Sequence, residues 1–227
     1  MIRIQATEIA EATGAELIHE GTRDIAGDVV IDSRQAKEGT IFVAFAGEKV
    51  DGNAYLAAAA KTGAAAVVAS AEVAPDALAA CAAAGASVLR AKDDDCEAFL
   101  LALAAEQRRR HPEWLVVGVT GSVGKTTTKD MLRAGFGAVR RTHATAGNLN
   151  NLIGMPLTLL AAPEDSEVVV CELGMNHPGE ISRLAGACSP ALACVTTIGT
   201  SHIAILGSRE NIARAKAEVC AQMRDSG

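Results

Sequence analysis

The spacing of apolar positions divides the chain into two textures. From Met1 to about Ser87 the apolar runs are short and alternate between strand-like and helix-like. Thr7 stands where a helix N-cap belongs, before Glu8 to Thr13, and Gly14 follows as a stop signal. Asp28 to Asp32 and Thr40 to Ala44 read as strands. Asp51 is placed to cap a helix over Gly52 to Thr62, and Ala65 to Ala69 reads as the next strand. Strands alternating with helices predict a small α/β unit. A long helix is predicted from Asp93 to about Arg110, with Phe99, Leu100, Leu103 and Ala104 on its apolar side and Pro112 marking its end. It is expected to join two domains, residues 1–87 and 88–227.

After Trp114 the pattern is longer and more regular. Leu115 to Thr120 is a continuous apolar run, as a parallel strand buried on both faces requires. A helix is predicted from about Lys125 to Phe136, further strands over Val168 to Glu172 and Ala191 to Ile198, and a helix from Arg209 onward. The fold class expected is α/β: a small N-terminal α/β domain, then a parallel, doubly wound sheet. Such a sheet normally has more strands than this, so the second domain is expected to be incomplete.

Composition narrows the class without naming a function. Of 227 residues, 49% are hydrophobic and 21% charged, which is ordinary for a globular chain. The net charge of −6 disfavours a general nucleic-acid or membrane-surface binder but leaves room for a local cationic site. The Ala-rich stretch from Ala54 to Leu89 is interrupted by Lys61, Glu72, Pro75 and Asp76 before a membrane span of about 18 apolar residues accumulates. The six cysteines form no C-x-x-C pair and no zinc spacing, so they are expected to be buried small hydrophobes in a reducing cytosol. Arg108, Arg109 and Arg110 are expected to be solvated cations at a helix C-terminus, with a nucleic-acid patch as the alternative.

The strongest chemical signal is GSVGKTT: Gly121, Ser122, Val123, Gly124, Lys125, Thr126 and Thr127. It follows a strand and opens a helix. Glycines let the backbone curl so that successive N–H groups face phosphate oxygens, and the helix N-terminus adds its positive end. Lys125 is placed for the β/γ-phosphates and Thr126 for Mg²⁺. The motif departs from the strict pattern in carrying Val119 where glycine is usual. Glu172 ends the next buried strand, at the sheet edge where ligands sit; it is either a Mg²⁺ ligand or a solvated strand-end carboxylate. His202 follows the third strand, and the residues alone leave its role open. Lys216 and Glu218, read alone, are surface charges. Asn148, Asn150 and Asn151 make a dense amide cluster that predicts a loop. Asp32-Ser33-Arg34 and Asp51-Gly52-Asn53 are turn and capping residues or sugar-nucleotide contacts.

Taken in order, five strings give the chain a family resemblance: IDSRQAKEGTIFVAFAGEKVDGNAYLAAAAKTGAAAVV, VVGVTGSVGKTTTKDML, GNLNNLIGMPLTLL, VVVCELGMNHPGEISRLA and TTIGTSHIAILGSRENIARAKAEV. The chain resembles the Mur ligases. Within them it resembles the branch that joins D-alanyl-D-alanine to UDP-N-acetylmuramoyl-tripeptide in peptidoglycan synthesis. The resemblance implies an ATP- and Mg²⁺-dependent amide ligase, cytoplasmic and monomeric, supplied here as an N-terminal part lacking the rest of the central domain and a third domain. It implies that Thr126, Glu172, His202 and Lys216 serve the metal positions, with Lys216 carbamylated. It implies that Ser33, Arg34, the Lys49 to Asn53 loop (with Asp51 and Gly52) and Asn150 or Asn151 meet the nucleotide-sugar peptide. Asn53, Val123 and Thr197 depart from the family's usual residues. The alternatives are another ligase of the superfamily, acting on the earlier stem peptide or on folate, and a non-catalytic nucleotide-binding module. By itself the 227-residue chain is expected not to ligate.

Overall fold

A computed structural model describes residues 2–47 and 50–223. The chain forms two compact units, residues 1–103 and 104–227. In the first, the strands are β1 (Ile2–Arg3), β2 (Glu16–His19), β3 (Ala26–Gly27), β4 (Val29–Val30), β5 (Ile41–Val43), β6 (Ala66–Ala69) and β7 (Ser87–Arg90), and the helices are α1 (Ala6–Thr13), α2 (Leu56–Thr62) and α3 (Pro75–Ala83). Helix α4 (Cys96–Arg110) crosses from one unit into the other. Its 103/104 division lies beyond the expected 87/88 boundary, which would cut β7 from its own sheet.

The first unit's main sheet has the order β2-β7-β6-β5-β4. Its strands pair in parallel except for β2, which runs antiparallel to β7. Phe42, Val67 and Val88 from the strands pack with Leu56, Ala59 and Ala60 of α2 and with Cys81 of α3. The Ala-rich segment therefore folds as helix and strand, its small side chains letting α2 lie close on the sheet. No helix among the described residues is long and apolar enough to cross a membrane.

The second unit holds β8 (Leu115–Thr120), β9 (Thr142–Ala144), β10 (Val168–Glu172) and β11 (Leu192–Val195), with α5 (Lys125–Gly137), α6 (Gly154–Leu160), α7 (Glu180–Cys188), α8 (Ile203–Leu206) and α9 (Arg209–Ala221). The sheet order is β11-β8-β10-β9, parallel throughout. Val117, Val119, Val168 and Val170 share a face with Leu132 and Phe136 of α5. Strand β11 is an edge here, and its Leu192 and Val195 are exposed. The chain leaves β8 toward β10 and β9 and later returns to β11 on the other side, so the C-terminal ends of β8 and β10 flank a topological switch point.

Several expectations shift at the ends of elements. Helix α1 begins at Ala6 rather than after Thr7, because the Glu8 carboxylate accepts the backbone N–H of Gln5. Helix α4 begins at Cys96 rather than Asp93, because Asp95 takes the cap, accepting from the N–H groups of Glu97 and Ala98. Asp93 and Asp94 lie before it in left-handed conformations. Gly52–Tyr55 is a 3-10 turn leading into α2 rather than a first α-helical turn. The strand expected over Ala191 to Ile198 stops at Val195. Arg108 is a correction: it is buried, donating to the carbonyl of His111, while Arg109 and Arg110 pair with Glu106.

Candidate functional site: a phosphate-binding loop beside a buried carboxylate

The loop from Gly121 to Gly124 leaves the end of β8 and opens α5. Gly121 has φ +145° and Gly124, the N-cap, has φ +87°. A Cβ on Gly121 would stand 1.9 Å from Thr196 Oγ1, so only glycine fits. The loop is held from one side by the segment that follows β11. Thr196 Oγ1 donates to the carbonyl of Val123 at 2.6 Å. Ser122 N–H donates to the Thr197 carbonyl at 2.9 Å, and Val123 N–H to Thr197 Oγ1 at 3.2 Å. Gly199 N–H donates to Ser122 Oγ, and Ser201 Oγ to the Ser122 carbonyl. Lys125 Nζ donates to the Gly121 carbonyl at 3.0 Å, so its ammonium curls back over the loop. The amides of Lys125, Thr126 and Thr127 are first-turn helix donors with no carbonyl one turn before them, and Thr126 and Thr127 are exposed. The loop thus presents donors and the positive end of a helix to solvent.

Glu172 sits at the end of β10, in register with Val119, one residue before the end of β8. It is buried. Asn150 Nδ2 donates to its Oε1 at 2.8 Å, and its own N–H donates to Thr145 Oγ1 at 2.9 Å. Its Oε2 is buried without a protein partner. A buried, unpartnered carboxylate oxygen is costly unless something cationic meets it. Asn150 is fixed from both sides, because its carbonyl also accepts the N–H of Gly174.

Lys216 on α9 is buried, not a surface charge as its sequence context suggests when read alone. Burial, with a contribution from the positive charge of Lys125, lowers its ammonium from 10.5 to about 8. Glu218, on the same helix, is also no free surface charge: its carboxylate accepts the N–H groups of Gly179 and Ser182 at the N-terminus of α7. His202 is the N-cap of α8 in a left-handed conformation, φ +65°. It directly follows Ser201, which bonds the loop. Among the described residues no three His, Cys, Asp or Glu side chains gather into a metal-binding cluster. The candidate oxygen donors are Glu172 Oε2 and the hydroxyl of exposed Thr126, hard donors of the kind Mg²⁺ takes.

Asn151 is engaged elsewhere: its Oδ1 accepts the N–H groups of Ile153 and Gly154 and starts α6, so the amide-rich loop ends in a helix. In the first unit, Asp32 grips Arg34 through the backbone N–H and the guanidinium, and this holds the Asp32 carboxyl down at about 2. Arg34 is exposed and Ser33 half-buried. Asp51 accepts from the Asn53 backbone and side chain, and Asn53 in turn exchanges hydrogen bonds with Ser70. Gly52 lies so close to Phe45 that a Cβ would stand 2.7 Å from its carbonyl oxygen. Lys49 lies outside the described residues.

Sequence reasoning missed Thr145, whose hydroxyl accepts the Glu172 N–H, Lys129, which donates to the Thr145 carbonyl, and the loop-gripping role of Thr196 and Thr197. The paired threonines straight after a parallel strand were a usable signal; Thr145 carried none.

Two Mur ligase profiles match the chain: the catalytic domain of the Mur ligase family over residues 27–108 and the Mur ligase middle domain over residues 119–227. The UDP-N-acetylmuramoyl-tripeptide--D-alanyl-D-alanine ligase of Bacillus subtilis strain 168 is 37% identical over 228 residues, covering all of this chain and 48% of that protein. The protein of the same name from Escherichia coli K12 is 32% identical over 235 residues, covering all of this chain and 47% of its own length. A crystal structure of MurF from Acinetobacter baumannii superposes with a TM-score of 0.86 at 29% identity, covering all of this chain and 48% of that one. The MurF ligase of Thermotoga maritima in complex with ADP superposes with a TM-score of 0.76 at 30% identity, covering 88% of this chain and 44% of that one. The chain spans about half the length of the curated relatives it matches. With a phosphate-binding loop, a carboxylate at the switch point and these matches along most of its length, the chain belongs to the Mur ligase family.

Proposed function

We propose that this chain is the nucleotide-sugar and ATP-binding part of an ATP-dependent carbon–nitrogen ligase of peptidoglycan synthesis, one that joins D-alanyl-D-alanine to UDP-N-acetylmuramoyl-tripeptide in the cytoplasm. The observation that carries the reading is the Gly121–Thr127 cradle set beside the buried, unpartnered Oε2 of Glu172. The relatives named above, and an ADP complex among them, support the choice of ATP and of substrate.

In this reading the amides of Lys125, Thr126 and Thr127 and the Lys125 ammonium receive the β- and γ-phosphates. Lys125 exchanges its bond to the Gly121 carbonyl for phosphate oxygens. Thr126 and Glu172 would hold Mg²⁺, and His202 and a carbamylated Lys216 would serve the remaining metal position. Mg²⁺, when bound, neutralises charge developing on the transferred phosphoryl group. An amine held near pKa 8 is partly neutral at physiological pH, the form in which Lys216 would capture CO₂. The carboxylate of the tripeptide attacks the γ-phosphorus, and the bond to the bridging oxygen of ADP breaks. The amine of the incoming dipeptide then attacks the acyl carbon, loses a proton and expels phosphate. The protein positions these groups and stabilises their charge. Ser33, Arg34, Asp51 and Gly52 would bind the nucleotide-sugar peptide, and Asn150 would orient Glu172 toward the metal and phosphate. Asn151, whose oxygen accepts the N–H groups of Ile153 and Gly154, would offer its amide N–H₂. The working unit is proposed to be a monomer in which an N-terminal substrate-binding domain precedes the ATP-binding domain.

The test is the product of the complete gene given ATP, Mg²⁺, UDP-N-acetylmuramoyl-tripeptide and D-alanyl-D-alanine. Mass spectrometry is expected to show the amide product with one ADP released per bond. Turnover only with a different amino component, or with a folate, would reassign it within the family. ATP binding without any ligation would make it a non-catalytic module.

A further inference from the structure

Glu172 is held by a relay of side chains that the proposed mechanism does not use. Lys129 lies one helical turn after Lys125 on α5 and is buried. Its Nζ donates to the Thr145 carbonyl at 2.9 Å and pairs with Asp130 at 2.8 Å. Thr145, also buried, follows directly on β9, and its N–H extends the pairing to the Val170 carbonyl at 3.0 Å. Its Oγ1 then accepts the backbone N–H of Glu172. Lys129, Thr145 and Glu172 thus form a continuous chain from the loop's helix to the strand end that carries the carboxylate. Glu172 lies on the same face of β10 as Val170, the face that α5 covers.

A buried ammonium and a buried hydroxyl are both costly placements unless their partners are fixed. An apolar core could pack α5 against β9 and β10 without them. What the pair adds is direction. The loop's helix pulls on the Thr145 carbonyl, Thr145 pins the Glu172 backbone, and Asn150 holds Oε1, so Oε2 is left aimed and unpartnered. We propose that Thr145 and Lys129 are positioning residues that couple the phosphate loop to Glu172, fixing that carboxylate for a divalent cation. This rests on the metal role of Glu172 proposed above.

The test measures Mn²⁺ binding to the product of the complete gene by electron paramagnetic resonance in the presence of ADP, with ADP affinity in EDTA measured alongside. Thr145→Val, Thr145→Ala and Lys129→Met are each expected to weaken Mn²⁺ binding roughly 10- to 100-fold, the usual effect of losing a group that orients a metal ligand. ADP affinity in EDTA stays within a factor of about two, because the loop amides are untouched. Thr145→Ser keeps the acceptor and restores Mn²⁺ affinity. Combining T145V with K129M costs little more than either alone, because they break the same relay. A role in packing alone would lower the melting temperature but leave the Mn²⁺ affinity of folded protein unchanged, and that result overturns the proposal. Should one variant lose its far-UV circular dichroism, the others decide independently. If Glu172→Gln binds Mn²⁺ as tightly as the parent while ADP still binds, the metal role of Glu172 falls, and the positioning role with it.

Discussion

Gly121→Ala places a methyl group 1.9 Å from Thr196 Oγ1 and forces alanine into φ +145°, a region that side chains avoid. Backbone strain of this kind costs about 1–3 kcal/mol. To relieve the overlap Thr196 must turn away from the carbonyls of Val123 and Thr120, to which it donates at 2.6 and 3.3 Å. Each hydrogen bond lost in that way costs about 0.5–1.5 kcal/mol. The expected destabilisation of the second unit is therefore about 2–6 kcal/mol. Trp114 is the sole tryptophan and is buried in that unit, so its fluorescence reports the unfolding of this unit. With a urea slope of about 2 kcal/mol/M, the midpoint falls by about 1–3 M. Thr196→Ala in the G121A background removes the clashing oxygen and returns part of the loss, leaving the backbone strain. An unchanged midpoint for G121A, or no recovery in the double variant, would refute the grip of Thr196 on the loop.

Further outcomes follow from the same geometry. Lys216 is lowered to about 8 in the folded chain against 10.5 for a free lysine, so between those values the unfolded chain holds more protons and stability rises with pH. Urea midpoints are expected to climb from pH 8 to pH 10 relative to those of Lys216→Met, which lacks this component. A parallel pH response in the two proteins would count against the burial of a charged lysine. Glu218→Gln loses charge-assisted bonds to the N–H groups of Gly179 and Ser182 at the start of α7 and is expected to cost about 1–3 kcal/mol by the same fluorescence assay. Of the six thiols, exposed Cys220 should react first with a thiol reagent at pH 8, while Cys81, Cys96, Cys171 and Cys188 stay protected until unfolding. Cys96 is doubly shielded, since burial, aided by the charges of Asp95 and Asp94, pushes its thiol up to about 12. Rapid labelling of all six in the folded chain would contradict the burial.

What could be read from the residues was what is encoded locally. Strand β8 shows itself because a strand buried on both faces must be apolar at every position. The loop shows itself because its glycines and Lys125 are demanded by geometry and charge. Strand β9 does not, because Thr-His-Ala has no strand pattern of its own and exists through pairing with β10. Helix α6 was hidden by Asn, Gly and Pro, the signals of a loop. Yet the Asn151 side-chain oxygen accepts the N–H groups of Ile153 and Gly154 at its start, and Pro156 falls in its first turn, where a missing N–H costs nothing. Strand β7 was lost in an alanine-rich run that favours no period. In the site, Glu172 was legible from its place at a strand end, whereas Thr145 and Lys129 act through contacts made only once α5 lies across β9 and β10. The burial of Lys216 was equally tertiary in origin, since Ala-Lys-Ala-Glu on a helix carries no mark of which face is covered.

The central claim is that Gly121 to Thr127 cradle a polyphosphate. Isothermal titration of Mg²⁺-ADP into the 227-residue chain tests it directly, with Lys125→Ala as the partner experiment. Saturable binding at one site, lost in K125A while Trp114 fluorescence and circular dichroism stay native, is the result this account predicts. No binding by the parent chain, or equal binding by K125A, would contradict it.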